Sequence, residues 1–97
     1  MVNTITLHKL INSKLSDFYL IDIRMPHEFA DHHLPNAINI PYDLIMTYPE
    51  NYLKKDQLYY LICGHGSLSL RACAILQSYG YNVVSVTDGY DMRLYCF

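Results

Sequence analysis

The sequence predicts a single α/β domain, residues 1–97, built on a five-stranded, mostly parallel sheet with helices on both faces. Three observations carry this. The chain has 97 residues, enough to bury one core and not two. Apolar residues make up 52% and charged residues 16%, the balance of a folded chain rather than a disordered one. Apolar runs of strand length alternate with stretches of helical spacing, the order that builds a parallel sheet between helical layers.

The elements follow in chain order. Thr4-Ile5-Thr6 reads as a brief edge strand, after which Leu7, Leu10, Ile11 and Leu15 recur at helical spacing. Phe18 to Ile23 is a nearly continuous apolar run, the mark of a strand covered on both faces. Pro26 suits the first turn of a short helix reaching about His32. Ala37 to Ile40 is a third strand, and Pro41 starts a helix through Met46. Residues 47–56 read as a connection to a fourth strand, Leu58–Ile62. The helix that follows is expected from about Ser69, with Leu70, Cys73, Ala74, Leu76 and Gln77 inward and Gly80 as its C-terminal cap. Asn82 to Val86 is the fifth strand, Asp88-Gly89 a turn, and a final short helix runs to about Tyr95.

Composition narrows the function classes. A net charge of −2, with lysines and arginines scattered, argues against binding to nucleic-acid phosphates. No apolar run approaches the roughly 18 residues of a membrane span, and the N-terminus lacks the pattern of a secretory signal. Cys63, Cys73 and Cys96 make an odd count without paired spacing, so neither a disulfide framework nor a metal site is expected, and no cofactor. The expected compartment is a reducing cytoplasm.

Chemistry gathers at Leu61 to Ala72, LICGHGSLSLRA. The fourth strand ends at Cys63, and in a parallel sheet ligands bind beyond the carboxyl ends of the strands. Gly64 and Gly66 can take positive φ and curl the backbone so that successive N–H groups point inward. Such a nest, together with the helix start, is an anion site that favours a thiolate and would also hold an anionic substrate. Against this stands the plainer reading of Cys63 as the last core residue of its strand. His65 either assists by charge or fixes the loop by hydrogen bonding. Ser67 and Ser69 are candidate hydroxyl donors to the sulfur, Ser69 equally a helix N-cap. Arg71 is either a solvated charge or a means of drawing anions to the mouth. Cys73 falls on the apolar face of the helix as a packing residue, and Cys96 sits at the chain end.

Leu20-Ile21-Asp22-Ile23-Arg24, then Glu28-Phe29, then His33 to Pro41 (HLPNAINIP), make a pattern that resembles the opening of the rhodanese family. Cys63-Gly64-His65-Gly66-Ser67-Leu68-Ser69 resembles its active-site loop, and Val83 to Tyr90 its closing segment. The resemblance covers about Thr4 to Arg93. It implies a sulfurtransferase whose loop cysteine, here Cys63, takes sulfur from thiosulfate or another persulfide donor and passes it to cyanide, a thiol or a protein acceptor. The amides of Gly64 to Ser69 would cradle the persulfide. Asp22 and Arg24 match the strand-end pair, for which a structural role is expected: Asp22 capping backbone N–H groups, Arg24 pairing with Glu28. His33 is expected to be packed and hydrogen-bonded rather than a base.

The chain also departs from the family pattern. Leu68 stands where many members carry an anion-binding Arg. His32 and Asn36 replace glycines, Asp88 replaces the first glycine of the closing pair, and Arg93 stands where a Trp is common. A phosphatase or arsenate reductase on this fold would want a C-x5-R loop, and Ser69 occupies the Arg position. The rival of another class is a catalytically weak module that binds a partner or senses sulfur species.

Overall fold

Alternation of apolar side chains along the central strands sets up two cores, one on each side of the sheet. The computed structural model describes residues 2–13 and 18–90. Its strands are β1 (Asn3–Ile5), β2 (Tyr19–Asp22), β3 (Ala37–Asn39), β4 (Leu58–Ile62) and β5 (Asn82–Val86). They lie in the order β1-β5-β4-β2-β3, and every neighbouring pair is parallel. The helices are α1 (Leu7–Ile11), α2 (Pro26–Asp31), α3 (Tyr42–Thr47), α4 (Pro49–Tyr52) and α5 (Ser67–Ser78).

Because successive strand residues point to opposite faces, Leu20, Tyr60 and Ile62 pack with Leu7 and Leu10 of α1 on one side. Ile21, Leu61 and Val83 pack with Ile45 of α3 and with Cys73 and Leu76 of α5 on the other. A parallel sheet covered this way needs apolar residues at consecutive positions, which is why β2 and β4 read as unbroken apolar runs. None of the described helices is long and apolar enough to cross a membrane.

Several boundaries differ from expectation. β1 spans Asn3–Ile5 because Thr6 caps α1, its hydroxyl accepting from the Lys9 amide at 3.1 Å. Ile11, expected on the apolar face, is 58% exposed, and α1 ends there with Asn12 as its cap. The stretch read as a plain connection contains α4, a single turn with Pro49 in its first position. α5 begins at Ser67, two residues early. Its inward face is therefore Ser69, Ala72, Cys73 and Leu76, while Leu70 (45% exposed) and Ala74 face outward. Gly80 does cap α5: at φ +95° it lets its own amide donate to Gln77 O and that of Tyr81 to Leu76 O, the paired bonds of a Schellman ending. Leu15, Arg93, Cys96 and the final helix lie outside the described residues.

The replaced glycines have local explanations. Asn36 takes φ +68°, the left-handed region that Asn tolerates best among non-glycine residues. His32 needs no such freedom, since it ends α2 in extended backbone at φ −162°. Asp88 gains a function by having a side chain: its Oδ1 accepts the Leu7 amide at 2.9 Å, tying the turn after β5 to the start of α1.

That link gives a stability prediction. Asp88→Ala should lower unfolding free energy by about 1 kcal/mol, the usual worth of a helix-start acceptor, and Asp88→Asn by less. Urea unfolding monitored by circular dichroism measures both; no loss in Asp88→Ala would mean the link is without energetic weight.

Candidate active site

Register places the site. Asp22 lies opposite Ile62 and Leu61 opposite Ser85, so β2, β4 and β5 deliver their carboxyl ends to one edge of the domain. Cys63 follows β4 directly and is 2% exposed. Its Sγ accepts two backbone hydrogen bonds, from Gly66 N at 3.2 Å and from Ser69 N at 3.3 Å. Ser69 is the third residue of α5, so its amide is one of the helix-start donors that have no partner within the helix. The sulfur thus occupies the position an anion would take at a helix N-terminus.

Gly66 makes the turn possible. It sits at φ +90° as the N-cap of α5, and a Cβ there would run into the Thr87 carbonyl. Gly64, expected to share the left-handed conformation, does not: the positive-φ glycines among the described residues are Gly66, Gly80 and Gly89, and a Cβ on Gly64 would meet open space. Ser69 is not the N-cap. Its buried hydroxyl donates to Gly66 O at 3.0 Å and pairs with Ser85 Oγ at 2.8 Å, which leaves Ser85 to donate in that pair. The sulfur's donors are amides rather than the serine hydroxyls.

The loop is clamped from outside by the turn after β5. The Tyr90 amide is shared between Cys63 O at 3.0 Å and Gly64 O at 2.9 Å. Gly89, at φ +55°, comes so close that a Cβ would strike the Cys63 carbonyl. The Tyr90 ring lies over the Arg24 guanidinium, 4.1 Å from Cζ to centroid, and its hydroxyl accepts the Leu34 amide at 3.1 Å. Burial pushes the Tyr90 hydroxyl up to about 12, with Asp22 adding to the rise while the Leu34 bond and Arg24 oppose it. Tyr90 is neutral at physiological pH.

Beneath that ring lies the buried pair of Asp22 and Arg24. Asp22 Oδ1 accepts Arg24 N at 3.0 Å, and Arg24 Nη2 reaches Oδ2 at 2.8 Å, with Asp22 0% and Arg24 6% exposed. Nε also donates to Oδ1 at 3.0 Å and Oδ2 at 3.1 Å, and Nη2 donates to His32 O at 2.6 Å. Burial works against the guanidinium's charge, but the Asp22 hydrogen bonds and charge outweigh it, so the Arg24 pKa is raised. The expected Arg24–Glu28 pair is replaced by Arg24–Asp22, because side chains two apart on extended backbone share a face. Glu28 Oε1 instead accepts the Met25 amide at 3.1 Å at the start of α2. His33 is exposed, stacked on Phe29 at 3.8 Å, and hydrogen-bonded to Phe29 O at 2.8 Å.

Cys63 faces an open cleft of about 400 Å³. Its walls are Arg24, Met25 and Glu28 on one side, Tyr42 and Asp43 of α3 on another, and loop residues Gly64, His65, Ser67 and Leu68. His65 and Ser67 are exposed at its rim. Arg71 is not among the lining residues: with α5 starting at Ser67 it falls in the second turn, exposed. Cys73 is fully buried, and burial, reinforced by the neighbouring Cys63, pushes its thiol up to about 12. Among the described residues no group of three His, Cys, Asp or Glu side chains could hold a metal ion. Sequence reasoning missed Ser85, whose signal was a lone hydroxyl within the apolar run Asn82–Val86, and the cleft carboxylate Asp43, which had none; Glu28, expected as the partner of Arg24, lines the cleft instead.

Removing one member of the buried pair should be costly. Arg24→Leu strands the Asp22 carboxylate and should destabilise the domain by about 3–5 kcal/mol. Denaturant unfolding measures this; a loss under 1 kcal/mol would mean that water or another donor already satisfies Asp22.

The family model described as the rhodanese-like domain matches residues 4–92. The putative sulfurtransferase YtwF of Bacillus subtilis is 36% identical over 73 residues, covering 75% of this chain and 70% of that protein. The adenylyltransferase and sulfurtransferase uba4 of Ogataea parapolymorpha is 38% identical over 72 residues, which is 73% of this chain and 18% of that protein. The chain thus spans about a fifth of the length of relatives of that second kind. A crystal structure of a rhodanese-like domain protein from Staphylococcus aureus matches with a TM-score of 0.77 at 30% identity, over 95% of this chain and 89% of that one. The all-parallel sheet, the cysteine loop and these relatives agree: the chain belongs to the rhodanese-like domain family.

Proposed function

We propose that this chain is a sulfurtransferase that carries sulfane sulfur as a persulfide on Cys63 and passes it to a thiol or to cyanide. The observation that carries the proposal is the pair of amides, Gly66 N and Ser69 N, donating to Cys63 Sγ at the floor of an open cleft. Relatives named sulfurtransferases support the same reaction class.

The chemistry divides into two displacements. The Cys63 thiolate attacks the outer sulfur of a donor R–S–SH; the donor's S–S bond breaks, R–S⁻ leaves with the electron pair, and Cys63–S–SH forms. An acceptor thiolate then attacks the outer sulfur of Cys63–S–SH, takes it as R′–S–SH, and returns Cys63 as the leaving thiolate. With cyanide the product is thiocyanate. In both steps negative charge moves on and off sulfur atoms at the helix start, where fixed N–H donors require no reorganisation. Ser69, Ser85 and Gly66 are positioning residues that keep those donors in place.

A binding or sensing module is the competing reading, favoured by Leu68, which leaves the loop without a cationic side chain for an anionic donor. Mass spectrometry separates the two. Reduced, desalted protein given a sulfane-sulfur donor should gain one sulfur, lose it on adding cyanide, and show no gain as Cys63→Ser with an unchanged circular dichroism spectrum. A stable gain in Cys63→Ser would move the carrier elsewhere, and no gain with any donor would leave the binding module.

Alkylation tests the cysteine assignment separately. With its pKa at about 12, Cys73 is ionised in only about one molecule in 10⁴ at pH 8, and it is enclosed. Iodoacetamide at pH 8, followed by peptide mapping, should therefore mark Cys63 in the folded protein and leave Cys73 unmarked. Equal, slow modification of both would count against an activated Cys63.

A further inference from the structure

The cleft in front of Cys63 has a charge pattern unsuited to a small dianion. Among its lining residues Arg24 alone carries a permanent positive charge, and that charge is turned inward: its Nη2 is held by Asp22 Oδ2 at 2.8 Å and His32 O at 2.6 Å. Two carboxylates, Glu28 and Asp43, line the same cleft and are solvent-exposed. Glu28 is fixed there by its bond to the Met25 amide. The same cleft offers apolar surfaces: Met25, 53% exposed, with Tyr42 and Leu68 partly buried against the core. Arg71, the nearest arginine in sequence to the loop, is outside the lining.

We propose, building on the sulfurtransferase reading above, that the cleft selects a persulfide on an uncharged or cationic carrier and discriminates against thiosulfate and other anionic donors, with Glu28, Asp43 and Leu68 as the residues that set this preference. The loop amides accommodate the transferred sulfur whatever its source. The rest of the donor lies in the cleft, where methylenes meet Met25, Tyr42 and Leu68 and a terminal ammonium meets the two carboxylates. A dianion in the same place faces two negative charges, while the permanent cation of the lining, Arg24, is already paired with Asp22. The reaction is the displacement already written: the donor's S–S bond breaks, the Cys63–S–S bond forms, and the carrier leaves as its thiolate.

The test compares donors of one chemistry and opposite charge. Cysteamine persulfide and mercaptoacetate persulfide both present R–S–SH on a short chain, one ending in an ammonium and the other in a carboxylate. Loading of Cys63 is followed by intact mass at pH 8, with thiosulfate as a third donor. The cationic persulfide should load about tenfold faster than the anionic one, and added salt should narrow the gap. In Glu28→Gln/Asp43→Asn, which keeps an acceptor for the Met25 amide, the two rates should fall within about twofold of each other. Leu68→Arg should raise thiosulfate loading about tenfold. If the anionic persulfide loads as fast as the cationic one, or if their ratio survives in the double variant, the selectivity is overturned while sulfur carriage stands. If no donor loads Cys63, the sulfurtransferase reading falls and the selectivity with it.

Discussion

The site depends on one buried ion pair. Asp22 and Arg24 sit at the carboxyl end of β2, where an unpaired charge would be untenable, and each neutralises the other, with Asp22 Oδ1 also accepting the Arg24 amide and Arg24 Nη2 also donating to His32 O. From that pair, contacts run outward in three directions. The guanidinium holds the end of α2 through the His32 carbonyl. Its face carries the Tyr90 ring, and the Tyr90 amide in turn holds the carbonyls of Cys63 and Gly64. Asn39 adds a third link, donating to the carbonyls of Asp22 and Arg24 at 2.9 and 3.0 Å and fixing the end of β3 beside β2. The hydrogen bonds to the sulfur come from Gly66 and Ser69, not from the charged pair. That pair determines where the loop that carries the sulfur can lie.

This arrangement explains why Cys63 sits among amides with so few side chains taking part. Gly66 turns the chain where a side chain would strike Thr87, and α5 begins at once, with the amides of its N-cap Gly66 and of Ser69 aimed back at Sγ. The Ser69–Ser85 pair closes the space beneath the helix start with two hydroxyls that satisfy each other and Gly66 O. The cradle therefore consists of backbone, and side chains serve to hold that backbone still.

Much of the architecture was legible in the sequence because its signals are physical ones. The runs through β2 and β4 are apolar at consecutive positions, which only a doubly covered strand requires. Boundaries were less legible. The apolar helical pattern starts α5 at about Ser69, whereas the turn geometry makes Gly66 the cap and leaves Leu70 and Ala74 facing outward. α4 is too short for periodicity to register. In the site, the cysteine and the glycine-containing loop stood out by type and position, but the partner of Arg24 did not: Glu28 at four residues and Asp22 at two are equally plausible on paper, and only the extended backbone decides for Asp22. Asp88 looked like a lost glycine and is a tether to α1, a contact 81 residues away in sequence that no local pattern could signal.

The backbone origin of the cradle has a consequence for how such a site can change over time. Every residue but proline carries an amide N–H, and the donors to Sγ belong to Gly66 and Ser69, so His65, Ser67 and Leu68 can be exchanged without dismantling the cradle, and all three line the cleft. Gly66 and Gly89 have no such latitude, since Thr87 and Cys63 occupy the space a side chain would need. Substitutions can therefore alter the lining of the cleft while the amide geometry around Cys63 Sγ is inherited intact. The cleft wall and the sulfur cradle are, in this fold, separately evolvable features.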